Sequence, residues 1–335
     1  MELNSNWPNL LDVTRRLDPD GSIAAIAEVL ETGDEFIHLF PFFEGNGTAS
    51  HKSTIRTGLP EGTWRELNYG VQPQKSTTKQ VTDSIGMLEN YAEVDKALAD
   101  LNGNTSEFRL SEDRAFLMGM KKNAKRTIIY GNSAVEGEKF MGLAARYSQK
   151  TGMAEGTIGD NIILAGGAGN TNTSVYLLVL GENTIHGIYP KGSKAGLQSN
   201  DKGQVTIENA NGVAGARMEA YRTHYKWDMG IVVRDWRYGV RIANIDVNAL
   251  VKNAATGADL IDLLAQALET VEDLSLGKPV FVMNKTIRSW LRRQMMNRPN
   301  TLLTLEQIQG HSVLHFDGVP CVRVDEIVNT ESAIS

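Results

Sequence analysis

Six histidines, at positions 38, 51, 186, 224, 311 and 315, and a single cysteine, Cys321, have the most chemistry to offer in this chain of 335 residues. His311 and His315 lie four apart with Asp317 close by, a spacing that suggests metal ligands. Their segment reads as a strand, however, where residues four apart are about 13 Å from each other. No Glu stands where an H-E-x-x-H helix needs its base. Cys321 and His315 could form a nucleophile and base on an open cleft, but Cys321 sits in an apolar hairpin, as a buried thiol does. Glycines 166, 167 and 169 suggest a dinucleotide loop, yet G-x-G-x-x-G counted from Gly167 needs glycine at Asn172. Gly277-Lys278 runs into Pro279 rather than the Ser/Thr of a phosphate loop. The acidic pairs Glu112/Asp113 and Asp325/Glu326 are explained by a helix start and a solvated strand end. No catalytic, cofactor-binding or metal-binding residue is assigned.

Charge narrows the field further. Lys and Arg number 34 against 40 Asp and Glu, a net of −6, whereas a dedicated nucleic-acid binder needs a clustered cationic excess. Arg217–Arg241 does hold six Lys/Arg against three acids, with aromatics that could stack on bases. Those aromatics alternate on one face, as core residues do. One cysteine excludes an intramolecular disulfide and a thiolate cage, so folding needs no oxidation. No run nears about 18 apolar residues, and the first residues lack the pattern of a signal peptide. The length allows roughly one to three domains. Glycine, 32 residues in all, is in excess and predicts many turns.

The elements follow from periodicity. Residues 1–17 read as an extended arm, Ile23–Leu30 as a short helix, and Phe36–Phe40 as a strand. A return strand covers 77–91. Ser106–Tyr130 is the longest helix, with acids early, bases late, and Phe116, Met120, Ala124 and Ile128 in one stripe. A second helix is expected near 137–147. Val175–Leu180 and Thr184–Tyr189 flank Gly181-Glu182-Asn183 as a hairpin. Tyr221, Thr223, Tyr225 and Trp227 share one strand face; Trp236, Tyr238, Val240 and Ile242 share another. Helices at 258–271 and 287–297 bracket a buried strand at 280–283. Asp317-Gly318 between apolar runs signals a hairpin. Helices and strands in blocks make an α+β fold.

One stretch fits none of these elements. Between Gly45 and Thr77 only Ala49, Ile55, Leu59, Trp64, Leu67, Tyr69 and Val71 are hydrophobic, seven of 33. Two readings stand: a floppy insertion, or a two-stranded excursion that cannot bury a core and lies on another subunit. Its Lys52, Arg56, Arg65 and Lys75 outnumber Glu61 and Glu66, so it carries +2 while the remainder carries −8. With Trp64, these four cations are the candidate inter-subunit contacts.

Several long strings are similar to a known family. They are Asn68–Pro73 within the excursion, Glu93–Gly103, Leu110–Phe116, Tyr221–Trp227 and Arg234–Tyr238. Together they resemble the major capsid proteins of short-tailed bacteriophages of the epsilon-fifteen type, from Leu10 to Ile327. The resemblance implies the Hong Kong 97-type fold. Its arm and short helix would be residues 1–34. Its peripheral domain would cover 35–149, with an extended β loop at about 42–80 and a spine helix at about 106–130. An axial domain would cover 150–280, and 281–335 would return to the peripheral domain. The arm begins almost at once, so no cleaved scaffolding segment is expected.

The resemblance further implies a coat protein, not an enzyme. It would assemble in the host bacterial cytoplasm into hexamers and pentamers of an icosahedral virion shell around double-stranded DNA, held weakly and without specificity. A scaffolding protein, a decoration protein and the portal are possible partners; no membrane and no cofactor are implied. Encapsulin nanocompartments share this fold, and a cytosolic enzyme with an unrecognised site is the reading from another class.

Overall fold

The computed structural model describes residues 35–335 except 59, 102–103, 154–155, 210–212, 253–256, 297–302 and 309–310. The expected arm and the helix at 23–30 lie outside the described residues. The chain divides into two compact units. One comprises residues 87–124 and 196–228; the other comprises 35–86, 125–195 and 229–335.

The larger unit begins with α1 (Glu35–Leu39) and β1 (Phe42–Glu44). The strand expected at 36–40 is therefore a helix. Phe36, Ile37 and Phe40 are buried, and Phe36 meets Phe40 edge to face one helical turn on, at 5.1 Å. Next come β2 (Ser50–Gly58) and β3 (Thr77–Ser84), which pair antiparallel from Ser50↔Ser84 to Gly58↔Thr77. The excursion is a hairpin. The return strand breaks at Ile85, whose N–H bonds Ala49 O, and β4 (Gly86–Asp95) follows.

The smaller unit takes most of β4, then α2 (Lys96–Asp100) and the first part of α3 (Thr105–Tyr130). α3 is the expected long helix, with Met120, Ala124 and Ile128 buried and Phe116 half-buried. The larger unit resumes with α4 (Leu143–Arg146), β5 (Ile162–Leu164), β6 (Asn172–Leu180) and β7 (Ile185–Tyr189). α4 is four residues where a helix over 137–147 is expected. Gly142 caps it, and a Cβ there would meet Thr127 O at 2.7 Å, so the chain is pressed against α3 and has no room to start earlier.

In the smaller unit β8 (Gln198–Glu208) pairs antiparallel with the first part of β9 (Arg217–Val233). Its core is small: Val94, Ala99 and Phe108, with Leu98 and Tyr221 against them. Ion pairs supplement it, Arg109 to Asp201 at 2.7 Å and Arg222 to Glu93 at 2.6 Å. Arg109 also lies over the Tyr221 ring at 5.0 Å.

The larger unit's sheet is centred on β6, every residue of which is buried. Its antiparallel neighbours are β10 (Gly239–Asp246) and β11 (Lys278–Met283). β5 joins β10 in parallel; beyond β11 lie β14 (Val319–Arg323), β13 (His311–Phe316) and β12 (Leu303–Ile308). α5 (Leu260–Thr270) and α6 (Lys285–Met296) pack against it in one core with Val175, Leu177, Val179, Val240, Ile242 and Phe281.

Two further expectations are corrected here. β6 and β7 do not form a hairpin: they meet only at Leu180↔Ile185, in parallel, and β7 then pairs with β9 and β1. Thr184 causes the swerve, its hydroxyl donating back to Val179 O at 2.7 Å. Trp236–Tyr238 is a tight 3₁₀ turn rather than strand, because the Asp235 carboxylate accepts the Arg237 N–H at 3.1 Å. Asp317 and Gly318, at φ 48° and 77°, form the expected hairpin turn.

Candidate inter-subunit surface

The hairpin of β2 and β3 is anchored at its base. His51, Ser53, Val81 and Asp83 lie on one face of the ladder, by the alternation of paired residues. Asp83 is buried and takes the Arg146 guanidinium at 2.6 Å; Arg146 also donates to Ile231 O at 3.0 Å. His51 meets buried His186 edge to face, with 6.2 Å between ring centroids. Burial, then the neighbouring His51, pulls the His186 pKa down to about 4. Asn46 closes the corner, accepting the Lys52 N–H at 2.8 Å and donating to Lys52 O at 2.7 Å.

Beyond the base no described residue covers the hairpin. Every described residue from Pro60 to Gln80 is exposed. Trp64 is 102% exposed and Leu67 87%, values that belong to an unfolded chain. Large apolar side chains held out together signal a surface awaiting a partner. The five sequence-derived contacts are strung along this arm rather than gathered at one point. Lys52 is exposed near the base, and Arg56, opposite Thr78, is farther along the ladder with its side chain outside the described residues. Trp64, Arg65 and Lys75 are exposed in the irregular tip.

The residues weighed for chemistry are occupied structurally. A Cβ on Gly167 would meet Asn172 Oδ1 at 2.3 Å and Asn244 O at 2.6 Å, so the glycine turn is packed by its own chain. Cys321 is buried, and desolvation pushes its pKa up to about 12. His315 is buried too. Among the described residues no three metal-ligating side chains cluster.

A charged network inside the larger unit is invisible to periodicity. Arg241, 4% exposed, donates to Glu331 Oε2 at 2.9 Å and to Tyr147 O at 2.8 Å. Ser174 and Tyr130 donate to the same carboxylate. Burial, then the Glu331 charge, raises the Tyr130 pKa, so this hydroxyl remains a donor. Glu331, the partner of Arg241, lies 90 residues later in the chain, where no local pattern links the two.

A broad sheet, a 26-residue helix and a β hairpin whose tip no described residue covers go with the class the structural match defines, the shell-forming coats of the Hong Kong 97-type fold. The chain belongs to the family of major capsid protein GP7, whose family model matches residues 18–335. It is similar to a chain in the structure of bacteriophage Epsilon15, 37% identical, with 99% of this chain and 98% of that one covered and a TM-score of 0.77. It also shares its fold with the capsid of bacteriophage JBD30, 10% identical over 90% of this chain and 93% of that one, at a TM-score of 0.51. No curated protein matches it. The family is that of a phage coat, which favours the coat over the encapsulin shell.

Proposed function

We propose that this major capsid protein assembles, in the cytoplasm of a bacterial host, into hexamers and pentamers of an icosahedral shell that encloses double-stranded DNA. The observation that carries this is the 37% identity to bacteriophage Epsilon15 across 99% of the chain. The chain acts through contacts and not through catalysis. The extended loop at about 42–80 lies on a neighbouring copy through Lys52, Arg56, Trp64, Arg65 and Lys75. The arm is 1–34 and the spine helix about 106–130, within a peripheral domain of 35–149 that 281–335 completes around an axial domain of 150–280. Scaffolding, decoration and portal proteins are further partners of such a shell.

The physical support is the uncovered hairpin. Burying Trp64 against a neighbour would contribute about 3 kcal/mol per copy before the cost of ordering the loop. The net +2 of the stretch favours an acidic receiving surface. The test replaces residues 59–76 by an Asn-Gly turn that joins Gly58 to Thr77, the last pair of the ladder. Expected is a folded, soluble chain with unchanged circular dichroism that makes no shells. Shells of normal size by electron microscopy would refute the role of the loop.

A further inference from the structure

α5 and α6 are neighbours in the larger unit, with Leu263, Leu264, Ala267, Ile287 and Leu291 in a common core. The Leu260 N–H at the start of α5 donates to Gln294 Oε1 near the end of α6, at 3.0 Å. Their outward faces carry opposite charge. α5 exposes Asp262, Gln266 and Glu269 and contains no Lys or Arg. α6 exposes Lys285, Ser289, Arg292, Arg293 and Met296 and contains no Asp or Glu.

These stripes are not spent on each other. Among the described residues no ion pair joins Asp262 or Glu269 to Lys285, Arg292 or Arg293. Asp262 accepts instead from Gln266 of its own helix at 2.7 Å. The Arg293 guanidinium lies over the Trp290 ring at 4.7 Å. Asp325, the acid beside Lys285, is held by Arg323.

Two complementary stripes, not paired with each other among the described residues, suit a contact in which one helix of a copy meets the other helix of a second copy. Asp262 and Glu269 are about 10 Å apart along their helix axis, and Lys285 and Arg293 about 12 Å along theirs. The stripes therefore match in length. We propose that the cationic stripe of α6 on one copy docks on the acidic stripe of α5 on a second copy, an interface that rests on the coat-protein reading. Nucleic acid is a poorer occupant, because the acidic α5 beside the site would repel its phosphates.

Charge reversal tests this on the full chain. Arg292→Glu with Arg293→Glu, and separately Asp262→Lys with Glu269→Lys, should each lower the shell yield about tenfold, with the unfolding midpoint unchanged. All four changes in one chain restore the pairing and should return the yield to within about twofold of wild type. If a reversed chain misfolds, the neutral pairs Arg292→Gln/Arg293→Gln and Asp262→Asn/Glu269→Gln take its place, with a drop of about threefold expected. Normal yield from either two-site chain, or no rescue in the four-site chain, overturns the contact. Loss confined to the α6 changes also overturns it and assigns that stripe to a different partner. Absence of shells from the wild-type chain would count against the coat-protein reading itself, a result distinct from normal shells in every variant.

Discussion

β6 and the loop from Pro60 to Gln80 are opposite extremes of one chain. All nine residues of β6 are buried, while the described residues of the loop are all exposed. Both carry apolar side chains, Val175, Leu177 and Val179 in the first, Trp64, Leu67 and Val71 in the second. What differs is whether described residues of the same chain cover them. A strand flanked on both sides by its own chain is finished when the monomer folds. A hairpin tip that no described residue covers leaves its apolar side chains exposed, and the proposed neighbour would be what finishes it. The contrast separates residues that set stability from residues proposed to set assembly.

Substitutions can break that separation, and the largest effect belongs to the buried network. Arg241→Leu strands the Glu331 carboxylate inside the larger unit and should cost roughly 3–5 kcal/mol, read by urea denaturation. A loss under about 1 kcal/mol would show that water reaches Glu331. Leu177→Ala, in the middle of β6, should cost roughly 3 kcal/mol by calorimetry, with the value rising if the cavity stays open.

At the junction between the two regions the effect depends on pH. The His186 pKa is about 4 in the fold against 6.5 ordinarily, so the unfolded chain binds its proton first. Stability is full above about pH 6.5 and is lost as the pH falls towards 4. His186→Gln should flatten that part of a midpoint-against-pH curve; an unchanged slope would place the acid sensitivity elsewhere. Smallest of all, Trp64→Ala should move monomer stability by no more than about 0.5 kcal/mol while the shell yield collapses. A drop above about 1 kcal/mol in the monomer would mean that Trp64 packs on its own chain.

The regular parts of the fold are legible in the residues because local pattern and burial agree there. α3 follows from the four-residue recurrence that ends at Ile128, and the hairpin of β13 and β14 from Asp317-Gly318. The hairpin of β2 and β3 follows from a deficit, since seven hydrophobic residues in 33 cannot roof a core. Failures fall where a distant contact overrides the local signal. Phe36–Phe40 is apolar but for His38, too short to show a period, and burial of Phe36, Ile37 and Phe40 on one face makes it a helix. β8 is polar, with Gln198, Asn200 and Asp201 among its residues, and is a strand because β9 supplies its ladder. The anchors of the hairpin, Asp83 and Arg146, are 63 residues apart and share no motif.

The link from Arg241 to Glu331 also sets an order in time. The two are separated by 90 residues, which a ribosome takes roughly 5–18 s to add. Until then a guanidinium destined for the interior has no counter-charge, and the larger unit cannot close around it without cost.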